Sequence, residues 1–424
     1  MGNKSLLEGT AISINIPRPL LFPGDDMRAV ASDAAQLFSP DDFNDICRDI
    51  WVKVYSVLGN DKKYIGLHIR RGDLMIDRNE GRDWFHKYEP ISFYQAIIEK
   101  ELNKDDFTYF LVVSDDDDLR RFLSEKYDRV KISEDLFPNI GETDLHFAWR
   151  DMIALSKCQR VIAPDFSGFS SAGALLGGHV REQIKTCLTD AERRDSLLKF
   201  KAPSTGSALT YSDALDLAVL ASLHSQFGAH QEARDAIEQA IQAFPRSLVL
   251  AKLACTISGA TQNIDMILES FVRFLQVLHK EDYHHLVKSK ILYETMTIFS
   301  GSIKNKTGDD LIAIAGKKKI ILDLINKILE NIPEKKFNPV VMAIFYHEMD
   351  ENENASHCIR QSLIRKWPLS VTQMHHLGKI SLKMGDLEAC SLIIEQMEML
   401  YSGNHWVVKL VSDYHVALQG KDAQ

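Results

Sequence analysis

The chain has 424 residues, enough for two or three domains, with the 45% hydrophobic and 26% charged content of an ordinary soluble globular protein. Its net charge of -9 disfavours nonspecific nucleic-acid binding, so any anion site must be a local concentration of basic side chains. Six scattered cysteines without a CxxC pair argue against a zinc knuckle or disulfide framework and for a reducing cytoplasm; no apolar run approaches the ~20 residues of a membrane helix and no signal-peptide core is present, so membrane contact is expected to be peripheral at most.

Residues 1–25 read as irregular, punctuated by Pro17, Pro19, Pro23 and Gly24. From 26 to 58 apolar residues recur at helical spacing, and Ser39-Pro40-Asp41 divides them into two helices. Residues 64–70 form a short β-branched apolar run, expected to be a buried strand. It ends in His68, Arg70, Arg71 and Asp73. Open α/β sheets bind ligands at the carboxyl ends of their strands. Arginine offers a planar fork of donors that matches phosphate, so this cluster is read as an anion site. On a strand His68 and Arg70 share a side and Arg71 faces the other. The plainer reading is a strand end with a surface salt-bridge cluster.

A long polar loop follows over 74–90, carrying Asp77, Arg78, Glu80 and Asp83. The pattern then predicts a helix over 90–102, a buried strand over 107–113, an acidic run at 115–118, and a helix to 126. A short edge strand is expected at 129–132. A helix over 144–158 follows, with Leu145, Ala148, Met152 and Leu155 on one face, and then a strand at 160–163. The small-residue turn Ser167, Gly168, Phe169, Ser170 and Ser171 opens another helix. Such a turn can cradle phosphate on free amides at the positive end of the helix dipole; the plainer reading is a capped helix start. The alternation predicts an α/β domain with a parallel sheet covered on both faces.

Residues 203–208 read as a linker. Beyond it Leu217, Leu220, Ala221, Gly228, Ala233, Ile237, Ala240 and Pro245 fall on the spacing of a tetratricopeptide repeat, a helical hairpin of about 34 residues. A second copy stands at Leu377, Gly378, Gly385, Cys390, Ile394 and Met397, and a weaker one ends at Trp367-Pro368. The stretch 255–335 is helical without a readable repeat phase. The expected organisation is a domain over 1–200 and a helical repeat domain over 207–424. Such arrays offer surfaces for a protein partner or self-association, and Trp406, Val407, Val408, Leu410 and Val411 are the expected apolar terminal face.

Four pieces in order resemble the GDP-fucose-dependent fucosyltransferases, most closely the α-1,2 family. His68-Ile69-Arg70-Arg71-Gly72-Asp73 is similar to the family's HxRRxD signature, and Phe93-Tyr94-Gln95-Ala96-Ile97 to the helix that follows it. Val113-Ser114-Asp115-Asp116 resembles its SDD strand end. Asp151 with Ser156 and Cys158, then the turn at 167–174, resemble its DxxxxSxC helix and SSFSWWGA turn. The resemblance covers residues 60–180. It implies a Rossmann-like, nucleotide-binding half of a GT-B-type glycosyltransferase, with GDP-fucose as donor, a glycan or glycoconjugate as acceptor, and no metal.

By this resemblance Arg70 would hold the β-phosphate and His68 and Asp151 the guanine. Asp73 would anchor the loop, and Ser167 to Ser171 would cradle the pyrophosphate through backbone amides. Arg71 and Asp115 would complete the nucleotide site. Asp77, Glu80 or Asp83 would accept the acceptor's proton. The sequence departs from the family where Ser171 and Ala172 replace tryptophans, and where Arg78 replaces the glutamate of related α-1,6 enzymes. Only 63 residues precede the strand, so the acceptor half is expected to be absent, supplied by another chain, or replaced by the helical array. Two further readings stand beside transfer. One is a nucleotide-sugar-binding scaffold without turnover. The other is a metal-dependent glycosyltransferase using a DxD within 115–118, which is more simply a set of capping carboxylates.

Overall fold

A computed structural model describes residues 45–59, 63–71, 88–104, 106–138, 140, 143–165, 167–199, 209–280, 285–304, 306–332, 338–364 and 369–422. The helix expected over 26–39, the linker at 203–208, and Asp73, Asp77, Glu80 and Asp83 lie outside these residues. The chain forms two compact units that divide in sequence at residues 207 and 208. Among the described residues no helix is long and apolar enough to cross a membrane.

The first unit begins with helix α1 (Asp45–Leu58), strand β1 (Lys63–Ile69), α2 (Ile91–Leu102), β2 (Thr108–Ser114) and α3 (Asp117–Lys126). It continues with β3 (Val130–Ile132), α4 (Ser133–Leu136), α5 (Asp144–Ser156), β4 (Arg160–Ala163) and α6 (Gly168–Leu176). β5 (Glu182–Gln183), α7 (Ile184–Cys187) and α8 (Asp190–Lys199) complete it. The five strands are all parallel in the order β3-β2-β1-β4-β5. β1 is buried at every position but its first, as expected of a central strand covered on both faces.

One face is packed by Trp51 and Val54 of α1, Ile153 and Leu155 of α5, and Ala174 of α6. Glycine permits the close approach here. A Cβ on Gly66 of β1 would stand 2.7 Å from Leu155 Cδ2, and one on Gly173 of α6 would stand 3.1 Å from Leu155 Cβ. α2 and α8 pack against each other, joined by Lys100, which bonds the Cys187 carbonyl at 3.0 Å and Glu192 at 2.9 Å.

Three expectations need correction. Strand β1 ends at Ile69, so Arg70 stands just past it rather than on it. Leu145 is 66% exposed, because it lies in the first turn of α5 and the buried part of that helix begins at Arg150. The third concerns the terminal apolar face. Val407 and Leu410 are buried, Trp406 and Val411 pack against the core, and only Val408 of the five is turned out.

The second unit is all helical: α9 (Tyr211–Gln226), α10 (His230–Ala243), α11 (Leu248–Thr261), α12 (Ile264–Lys280), α13 (His285–Ile303) and α14 (Asp309–Leu329). α15 (Pro339–Glu348), α16 (Asn352–Ile364), α17 (Val371–Met384), α18 (Leu387–Tyr401) and α19 (His405–Asp422) follow. The pairs α9/α10, α11/α12, α15/α16 and α17/α18 pack as hairpins, while α9, α11, α13, α15, α17 and α19 pack in succession. Gly228 and Gly385 take φ +73° at the turns of the first and last hairpins, a conformation other side chains rarely adopt. Capping boxes start α9 at Thr210/Asp213 and α17 at Ser370/Gln373.

Candidate functional site

The strand order reverses direction between β1 and β4, which pair with each other. Chains leaving such neighbours part to opposite faces of the sheet and leave a crevice at their carboxyl ends. The signature cluster follows β1, and the serine turn follows β4.

His68 and the serine turn meet in this crevice. His68 Nδ1 lies 3.2 Å from Ser167 Oγ, and the His68 and Phe169 rings stand 5.2 Å apart. Ser167 is the N-cap of α6: its Oγ accepts from Ser170 N–H at 3.4 Å, and its carbonyl accepts from Ser171 N–H at 3.1 Å. The amides of Gly168 and Phe169 are the first-turn donors that a helix does not satisfy by itself. Among the described residues a Cβ on Gly168 would meet nothing within 4 Å. Burial, with the positive charges of Arg70 and Arg181, holds His68 down to about 4 against the pull of Asp115. Its imidazole is therefore neutral at pH 7, and one ring nitrogen accepts. The Arg181 guanidinium donates to the Pro164 carbonyl at the end of β4.

The two signature arginines have different surroundings. The charge of Arg70 acts on His68, and its side chain is half-buried. Arg71 is 2% exposed, its guanidinium carbon stands 4.5 Å from the centre of the Tyr88 ring, and its backbone N–H donates to Asp115 Oδ1 at 2.7 Å. Tyr94 reaches back from α2 and donates its hydroxyl to the His68 carbonyl at 3.1 Å. Burial raises the Tyr94 hydroxyl well above its ordinary range, so it stays a donor.

Asp151 sits in a separate buried polar group. Arg150 Nε donates to Asp151 Oδ1 at 2.9 Å, and Arg150 Nη2 donates to Glu134 Oε1 at 3.0 Å. Burial raises the Asp151 carboxyl, while Arg150 and a hydrogen bond from Ser133 lower it. The structure thus gives His68 and Asp151 different partners. In the acidic run, Asp115 holds the Arg71 amide, Asp116 caps α3 by accepting from Leu119 N–H at 3.0 Å, and Asp117 pairs with Arg120. Among the described residues no group of three or more His, Cys, Asp and Glu side chains is arranged to hold a metal ion.

Sequence reasoning passed over Glu89, Arg181 and Arg193, and counted Tyr88 only as a residue of the polar loop. Glu89 is a half-buried carboxyl beside Pro90, the N-cap of α2. Burial raises it to about 7, with Arg193, Arg71 and Lys185 pulling down and Asp165 pushing up. The only local signal was its place at the end of a long loop, directly before a helix. Compared with known proteins, the chain matches no family model and no curated protein.

Proposed function

We propose that the chain is an inverting glycosyltransferase that moves fucose from GDP-fucose to a hydroxyl of a glycan or glycoconjugate. In this reading the parallel sheet is the Rossmann-like, nucleotide-binding half of a GT-B-type enzyme. The helical unit is a tetratricopeptide-like array that serves a protein partner or self-association. One observation carries it: the residues that resemble the family signature meet those that resemble its serine turn, through His68 and Ser167, at the carboxyl ends of adjoining parallel strands.

The chemistry follows from charge. As the sugar–oxygen bond breaks, negative charge moves onto the β-phosphate. Arg70 and the amides of Gly168 and Phe169 at the N-terminus of α6 are the groups proposed to meet it. Preorganised donors aimed at developing charge lower a barrier more than donors that must reorient in water. The neutral His68, positioned by Ser167, can accept a hydrogen bond from a nucleotide base or ribose. The partners of Asp115, Asp116 and Asp117 favour a metal-free mechanism, because these carboxylates are already used on backbone amides and Arg120.

The test is GDP release from GDP-fucose, with and without EDTA. Release that EDTA leaves unchanged is expected. Release restored only by manganese would transfer the role to the acidic run, and equal release from UDP-glucose would remove the GDP-fucose assignment.

A further inference from the structure

We propose that the contact between α17 and α19 is a pH-sensitive latch, in which charging of His375 releases α19 from the helical unit. The latch lies wholly in that unit and does not depend on the transferase reading.

Residues at helical spacing build it from both sides: His375, Gly378 and Lys379 on α17, and Trp406, Lys409, Leu410 and Asp413 on α19. The His375 and Trp406 rings stand 4.6 Å apart. One turn further along α17, Gly378 lets Leu410 come so close that an added Cβ would stand 2.4 Å from Leu410 Cδ2. Beside it Lys379 Nζ donates to Asp413 Oδ2, and Lys409 Nζ lies 5.8 Å from the centre of the Trp406 ring.

His375 is the member of this contact that can change state. It is 9% exposed, and its Nε2 is buried with no hydrogen-bond partner among the described residues. A neutral imidazole can keep its proton on Nδ1, which leaves no donor unpaired at Nε2. An imidazolium has protons on both nitrogens, so a charged donor would be buried without an acceptor. The surrounding charges add to this. Lys379 and His376 on α17 and Lys409 on α19 oppose the proton, while Asp413 on α19 favours it but is held by Lys379. Of the other helices packed on α17, α15 carries His347, which acts on His376, and α18 is capped by Asp386, which Ser356 and Arg360 of α16 hold. His405 touches Trp406 but is exposed, so its charge stays hydrated whether α19 is docked or free.

Burial and these cations lower His375 from the ordinary 6.5. Above 6.5 the ring is neutral in either state and the latch is shut. As pH falls through 6.5 the released side chain takes a proton that the docked one refuses, so docking weakens progressively down to the lowered value.

Hydrogen exchange of the full chain from pH 7.5 to 5.0, corrected for intrinsic rates, reads the latch. Protection of α19 amides should fall several-fold, and by no more than about 30-fold, the limit for one proton whose unhindered pKa is 6.5. Amides of α9 and α10 should keep their protection. His375→Phe keeps a ring against Trp406 without a titrating nitrogen, and should hold α19 protected throughout. A flat wild-type profile overturns the proposal, as does an equal loss in α9 and α10, which would mark general acid destabilisation. A fall that persists in His375→Phe overturns it too, because another group would then carry the response. Lys409→Met gives a second reading should His375→Phe not fold: removing a cation that opposes the proton should shrink the fall, and an unchanged or deeper fall overturns the latch.

Discussion

Replacing Glu89 by glutamine should stabilise the protein, and only above pH 5. Below about pH 4.5 the carboxyl is protonated in both the folded and unfolded chain, so its titration contributes no difference. Between 4.5 and about 7 the folded state keeps the proton and the unfolded state releases it, so this contribution to stability is lost as pH rises through 7. The displacement from 4.5 to about 7 corresponds to about 3 kcal/mol, at about 1.4 kcal/mol per pH unit. Partial exposure and screening reduce this, so about 1–3 kcal/mol is expected at pH 8. Glutamine has the same shape and no charge, and so avoids that cost. For a unit of this size each kcal/mol moves Tm by roughly 2–4 °C. Differential scanning calorimetry of wild type and Glu89→Gln at pH 4.5 and pH 8 reads the effect. Coincident melting at pH 4.5 and a higher Tm for the variant at pH 8 are expected. An equal shift at both values, or a lower Tm at pH 8, would refute a desolvated setting for Glu89.

Other perturbations separate the parts of the account. Ser167→Ala removes the cap of α6 and the partner of His68. It should cost about 1 kcal/mol of stability and weaken GDP binding in calorimetric titration; unchanged affinity would count against the serine turn. Arg70→Lys keeps the charge but loses the planar fork, so GDP release should fall at least about 10²-fold with Tm retained. Arg71→Lys should instead lower Tm more than turnover, since its guanidinium is buried against Tyr88; a larger turnover loss than in Arg70→Lys would reverse the two roles. Gly378→Ala would place a Cβ 2.4 Å from Leu410 Cδ2. That overpacking should cost about 1–3 kcal/mol in the helical unit, while GDP affinity stays unchanged.

Much of the first unit could be read in advance because parallel strands buried on both faces are continuous apolar runs. Thr108–Ser114 and Arg160–Ala163 stand within one residue of the expected strands. Chemistry near the strand ends was less legible. Arg70 falls past β1, so strand alternation does not by itself place it. Asp151 was visible as a motif residue, but its hydrogen bond from Ser133, at the start of α4, is a tertiary contact that no local pattern reports. Glu89 was passed over because its environment is built by Lys185 and Arg193, far along the chain, and no periodicity reports that. In the helical unit, small residues and turn glycines marked the first and last hairpins. The middle resisted phasing because α13 and α14 run to 19 and 21 residues and α14 packs on α12.

The most direct test of the central claim is calorimetric titration of the full chain with GDP-fucose and, separately, UDP-glucose, each in EDTA. The account predicts saturable binding of GDP-fucose and none of UDP-glucose. It also predicts a rise of about 2.7 kcal/mol in unfolding free energy at 100 times the Kd, abolished or strongly reduced in Arg70→Lys. Equal binding of the two nucleotide sugars, or binding of GDP-fucose that Arg70→Lys leaves untouched, would contradict it.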